Sequence, residues 1–161
     1  MIRSLLCTLI TAAVSFATVP SVNVAWLPVT DAERQMKAPV VDKNAGVEAL
    51  FWRVYVVDDV SGQDAQRILY HYVRLKIFTP EGKEKAATID LQYGDKAAIN
   101  SIVGRTIKPD GTIVELSKDA IHERVLVRAG GIKRKVVSFA MPGVEVGSIV
   151  EYRWRERISQ S

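Results

Sequence analysis

The sequence predicts an all-β protein, an antiparallel β-sandwich of about eight short strands. Three observations carry that expectation. From Val47 onward apolar residues recur with period two, the spacing of strands with one face turned to a core. Clusters of Gly, Pro, Asp and Ser interrupt the alternation at short, regular intervals. Beyond Val47 no stretch carries the period of a long amphipathic helix. Antiparallel strands in that number close naturally into two packed sheets, with an open barrel as the alternative arrangement.

Ahead of the strands, Arg3 and the almost wholly apolar run from Leu5 to Val14 have the order of a secretory signal peptide. Ser15-Phe16-Ala17 and Ala25 offer small-residue cleavage points. Residues 1–25 are therefore read as a signal peptide removed after Ala17 or Ala25. The competing reading is an uncleaved N-terminal anchor, since apolar residues continue to Ala25, although Thr, Ser and Pro20 dilute the run. The expected location is periplasmic or extracellular. Cys7, the single cysteine, falls in this segment. Its removal leaves no disulfide, thiolate metal site or cysteine nucleophile, so the domain must hold by packing alone.

Residues 26–46 form a lead-in. Thr30 and Glu33 have capping-box spacing and predict a short helix to about Lys37, ended by Pro39. Residues 47–157 are the sandwich, and 158–161 a tail. In the first strand Leu50, Trp52, Val54 and Val56 alternate with Phe51, Arg53, Tyr55 and Val57, apolar on both faces in places. The cluster from Asp58 to Gly62 reads as a turn. Leu69, His71, Val73, Leu75 and Ile77 then face one way, and Tyr70, Tyr72, Arg74 and Lys76 the other. Thr79-Pro80-Glu81-Gly82 reads as a tight turn that returns Thr88 to Tyr93 as an antiparallel neighbour.

Ile99 to Ile107 and Thr112 to Leu116 flank Pro109-Asp110-Gly111, where glycine accepts a positive φ at little cost. Strands from Ile121 to Arg128 and from Lys133 to Met141 meet at Gly130-Gly131. After the loop Pro142 to Gly147, the last strand places Val150, Tyr152 and Trp154 on one face and Glu151, Arg153 and Arg155 on the other.

Composition limits the function classes. The 161 residues are 48% hydrophobic and 25% charged, ordinary for one globular domain. A net charge of +4, with cations and anions interspersed, is that of a mixed solvated surface and leans toward an acidic partner such as an anionic envelope surface. No basic stripe with stacking aromatics indicates nucleic acid. His71 and His122 lack metal-ligand spacing and read as a half-buried strand residue and a surface residue. Ser101, Ser138 and Ser148 lack a nucleophile-elbow signature. Asp58, Asp59, Glu81, Glu84, Glu145 and Glu151 read mostly as solvated turn acids. No glycine-rich loop opens a helix to cradle phosphate. Trp52, Tyr55, Tyr70, Tyr72, Tyr93 and Trp154 are either sandwich core or an aromatic platform on one sheet, the kind of face on which sugar rings stack.

Two glycine-bearing segments go further. The stretch from Ile102 to Ser117, with Lys108-Pro109-Asp110-Gly111-Thr112 at its turn, resembles a hallmark of the bacterial DUF3857 family of domains of unknown function. So does the stretch from Val137 to Tyr152, with Met141-Pro142-Gly143 and Glu145-Val146-Gly147-Ser148. Tyr70 to Gly82 looks like that family's first long hairpin, and the resemblance extends over about Val47 to Trp154. It implies an immunoglobulin-like β-sandwich in secreted or envelope proteins, usually preceding a transglutaminase-like domain with a papain-type Cys–His–Asp site. Nothing here matches that site, so no catalytic residue is carried over, and no cofactor or metal is expected. The chain is then expected to be either a stand-alone copy or the front piece of a broken or truncated gene.

The resulting expectation is a non-catalytic accessory or interaction domain. Its partner would be a transglutaminase-like domain or an envelope component, and an uncovered sheet edge would invite self-association. The alternatives are a glycan-binding module using Trp52, Tyr70, Tyr72 and Trp154, and a hydrolase built on His71 or His122.

Overall fold

A computed structural model describes residues 25–60, 64–129 and 132–160. The expected signal peptide up to residue 24, the turn at Ser61-Gly62 and the Gly130-Gly131 turn lie outside the described residues. The strands, in chain order, are β1 (Val47–Asp59), β2 (Gln66–Ile77), β3 (Thr88–Gly94), β4 (Ala97–Ile107), β5 (Ile113–Glu115), β6 (Ile121–Ala129), β7 (Ile132–Ala140) and β8 (Ile149–Ser159). They divide into a five-stranded sheet, β1-β2-β8-β4-β5, and a three-stranded sheet, β3-β7-β6. Every pairing is antiparallel. The architecture is thus the sandwich and not the barrel. β8 runs past the expected domain limit at 157, and β1 continues through Asp58 and Asp59, where Arg67 on β2 pairs with Asp58 at 2.7 Å.

The turn expected at Thr79-Pro80-Glu81-Gly82 is instead the first turn of a helix, α2 (Pro80–Ala87). Thr79 caps it by accepting from the Gly82 N–H at 3.1 Å. Proline at the first helical position and Lys83 to Ala87, good helix formers, complete the signal. The same tetrapeptide serves a turn or a helix start, and the residues after it decide. Consequently β3 does not return beside β2. The helix carries the chain to the other sheet, where β3 pairs with β7. Gly82 is required there by close approach: a Cβ would lie 1.8 Å from the Gly46 carbonyl oxygen.

The two hallmark segments do different jobs. Pro109-Asp110-Gly111 closes the β4–β5 hairpin as expected, with Gly111 at φ 88° and the Thr112 N–H donating to Asp110 Oδ1 at 2.8 Å. The second segment crosses from β7 in the small sheet to β8 at the centre of the large one. Between the sheets lies the core, in which Val73, Val150, Tyr152 and Trp154 meet Ile89, Val137, Phe139 and Met141.

The opposite face of the large sheet is covered by the lead-in. Its helix α1 (Asp31–Gln35) carries the expected capping box, with the Thr30 N–H donating to Glu33 at 2.7 Å and the Glu33 N–H to Thr30 Oγ1 at 3.2 Å. The helix stops short of Lys37. Beneath the lead-in lies Glu151, fully buried and not the solvated acid expected. Arg74 Nε donates to its Oε1 at 2.7 Å and Arg105 Nε to its Oε2 at 2.7 Å. The Tyr72 hydroxyl also donates to Oε1.

Arg74 in turn donates to the Leu27 carbonyl at 2.7 Å, the Pro28 carbonyl at 3.2 Å and Glu33 at 2.8 Å. Burial opposes its charge, but these acceptors outweigh burial and raise its pKa. Trp26 lies against the guanidinium groups of Arg153, 3.9 Å from its ring centroid, and Arg105, at 4.6 Å. Lys76, also buried, ties α1 to the β7–β8 loop through the Arg34 carbonyl at 2.9 Å and the Gly147 carbonyl at 2.6 Å.

Removing one partner of a buried charge cluster strands the others. Glu151→Ala is expected to cost about 3–5 kcal/mol of unfolding free energy. Glu84→Ala, which removes an exposed pair with Lys83, is expected to cost at most about 1 kcal/mol. Urea denaturation of both variants measures the difference, and equal losses would refute the central role of Glu151.

Candidate functional site

Three strands do not cover five. Of the half-buried apolar residues of β1, Val47 packs against the main core cluster. Further along β1 the side chains on the core-facing side are left in water: Trp52 is 64% exposed, Val54 45% and Val56 49%. On the other side Tyr55 is 57% exposed. β1 is also the end strand of its sheet, paired only with β2 among the described residues. The result is a 13-residue end strand that shows apolar side chains on both faces between Phe51 and Val57, with Arg53 among them.

Where the small sheet ends, a cavity of about 440 Å³ opens between β3 and the core-facing side of β1, β2 and β8. Its aromatic wall is ordered by register. His71 stands opposite both Val54 and Trp154. The His71 and Trp154 rings lie parallel at 4.2 Å, and Tyr152 continues the stack at 5.7 Å and 16°. Trp52 stands 6.3 Å from Trp154, its plane inclined by 48°. The Trp52 indole N–H donates to His71 Nδ1 at 3.4 Å. An indole N–H only donates, so Nδ1 is the accepting nitrogen and the neutral ring carries its proton on Nε2.

That nitrogen is buried and hydrogen-bonds to nothing among the described residues. Glu156 Oε2 lies 3.4 Å from it without completing a hydrogen bond. Across the cavity runs the edge of β3 from Thr88 to Gln92, the Asp90 and Gln92 side chains lying on the face away from Ile89 and Leu91. Burial holds the His71 pKa below its ordinary value of 6.5, against the opposing pull of Glu156. Burial likewise pushes the Tyr152 hydroxyl up to about 12.

The six aromatic residues weighed from sequence do not share one face. Trp52 and Trp154 line the cavity. Tyr55, Tyr70 and Tyr72 lie on the opposite face of the large sheet, Tyr72 buried beneath Trp26 and beside Phe51. Tyr93, on β3, is core. Burial of His71 agrees with its sequence reading, but its partners there were not foreseen. Glu156 was missed, and its only signal is its place two residues after Trp154 on the same face of β8.

His122, exposed as expected, stands opposite Ser138 on the small sheet, and Ser138 stands opposite Asp90. The row places serine in the middle: Ser138 Oγ donates to Asp90 Oδ1 at 2.5 Å. In a hydrolytic triad the acid orients the imidazole and the imidazole activates the serine. Here the serine hydroxyl donates directly to the acid and the imidazole does not stand between them.

A family model for DUF3857, a domain of unknown function with solved structures, matches residues 63–160. Among solved structures, a putative protease from Parabacteroides distasonis matches with a TM-score of 0.57 and 18% identity over 70% of this chain. The match takes in 23% of that protein, so this chain spans less than a quarter of its length. The CBM3a-L domain with flanking linkers from a Clostridium thermocellum scaffoldin matches over 68% of each chain, at 9% identity and a TM-score of 0.35, too low to indicate a shared fold. None of the curated proteins matches the chain.

His71 sets a pH window for stability. Its folded pKa lies below its unfolded value, so its contribution is fully present above about pH 6.5 and is lost as pH falls through the lowered value. Carboxylates with depressed pKa, such as Glu33, act lower, below their ordinary 4.5. Melting temperatures between about pH 8 and pH 5 should fall more steeply for the native chain than for His71→Gln. Parallel profiles would contradict a neutral buried imidazole.

Proposed function

The chain belongs to the DUF3857 family, and on that premise we propose that it is a non-catalytic interaction domain of an exported, envelope-associated protein, docking a companion protein domain along β1. The observation that carries the proposal is the β1 edge. Natural sheets protect edges with charged residues, proline, bulges, short length or a cover. β1 has a bulge after Ala49 and charges at Glu48, Arg53, Asp58 and Asp59, but its 13 residues include neither lysine nor proline, and past Arg53 it exposes Val54 and Val56. Such an edge takes up another strand through main-chain hydrogen bonds, with flanking side chains supplying apolar contact.

A companion domain is a fitting occupant. In the Parabacteroides protein the matched fold is a minor part of a much longer chain. A transglutaminase-like domain is the companion that the sequence resemblance implies. Around Glu151 the outer face of the large sheet is already occupied by the lead-in, whereas β1 remains accessible. The Asp90–Ser138–His122 row supports a non-catalytic reading, because its order does not activate the serine. Export rests on the N-terminal sequence. Among the described residues no helix is long and apolar enough to cross a membrane.

In the isolated chain the strand available to an uncovered β1 is the β1 of a second copy. Sedimentation velocity should show concentration-dependent self-association of residues 26–161. Val54→Lys with Val56→Lys should return it to a monomer without lowering its melting temperature, since both side chains are half exposed. A monodisperse monomer at every concentration would overturn the docking role of β1.

A further inference from the structure

We propose that the cavity between Trp52 and Glu156 binds a neutral pyranose ring of a glycan. This does not rest on docking at β1, which uses the strand's backbone edge and the Val54 and Val56 side chains.

Size comes first. At about 440 Å³ the cavity falls within the range of small-ligand sites, roughly 300–1,000 Å³. The wall chemistry then narrows the ligand. Trp52 is the available stacking surface, because His71 and Tyr152 already stack with Trp154. Its indole is 64% exposed yet tethered through its N–H to His71 Nδ1. An exposed ring fixed in advance loses little freedom on meeting a ligand. The C–H face of a pyranose supplies the apolar surface to lie on it.

The polar groups specify the rest of the ligand. His71 lines the cavity and is 8% exposed. Its Nε2 has no exposed surface and lies 3.4 Å from Glu156 Oε2, so it backs that carboxylate and does not itself reach a ligand. Glu156 is an acceptor, and β3, an end strand that lines the cavity from Thr88 to Gln92, offers main-chain donors and acceptors along its edge. A ring bearing adjacent hydroxyls answers all of them, since each hydroxyl donates and accepts. A purely apolar ligand would seal Glu156 away from water without a partner, which is costly. The charged side chain on the cavity's core-facing wall is the Glu156 carboxylate. A uronic acid or sugar phosphate would meet like charge there, so the ligand is a neutral sugar.

The test is isothermal titration calorimetry, with tryptophan fluorescence alongside. The probes are maltohexaose, cellohexaose, xylohexaose and N-acetyl-chitohexaose, with hexagalacturonate as the acidic arm. At least one neutral oligosaccharide should bind saturably, and hexagalacturonate should not. Trp52→Ala and, independently, Glu156→Gln should each weaken binding by about tenfold or more. Tyr55→Ala, on the opposite face of β1, should leave it unchanged. The Val54→Lys, Val56→Lys chain should bind sugar while failing to self-associate, which separates this site from the docking edge. No heat with any neutral probe, tightest binding of hexagalacturonate, or a folded Trp52→Ala chain with native affinity would each overturn the assignment.

Discussion

Glu151 has no exposed surface, and the outer face of the large sheet is arranged around its charge. A lone carboxylate in that position would cost several kcal/mol in desolvation. Two arginines from neighbouring strands and a tyrosine hydroxyl neutralise it. Arg74 has donors left over, and those find carbonyls at Leu27 and Pro28 and a carboxylate at Glu33. A buried acid in the middle of β8 thereby dictates that the lead-in folds across the sheet. Trp26 lies over Arg105 and Arg153, and Lys76 ties the end of α1 to the β7–β8 loop. The lead-in is therefore part of the domain.

With that face closed, the accessible chemistry moves to where the sandwich is unequal. The small sheet packs over the middle of the large one and stops before β1. The strand left over keeps an open backbone edge, and the gap beside it keeps a cavity. Both depend on the same mismatch in strand number, and they use different atoms of β1. One offers main-chain groups and aliphatic side chains. The other offers one indole, backed by a buried imidazole and a carboxylate.

Much of the fold is legible from residue order. Alternation along β2 and β8 assigns their faces correctly, Thr30 and Glu33 announce α1, and Asp110-Gly111 announces the β4–β5 hairpin. These signals are local, set by backbone geometry and the side chains within a few residues. Reading failed where local chemistry is degenerate or where distant segments meet. Thr79-Pro80-Glu81-Gly82 suits a turn and a helix start equally. Glu151 is one more acid in an alternating strand until the arginines of β2 and β4 arrive on either side of it. Six aromatic residues look like one platform until strand pairing distributes them over two faces and a second sheet.

From the sequence alone come the all-β class, the number of strands, the capped lead-in helix and the family resemblance, because periodicity, caps and turns are encoded within short windows. Sheet membership, the crossing made by α2, the burial of Glu151 and the meeting of Trp52, His71, Trp154 and Glu156 at one cavity were decided only in three dimensions. They depend on which strands become neighbours and how far one sheet extends over the other, and those are properties of packing between residues far apart in the chain.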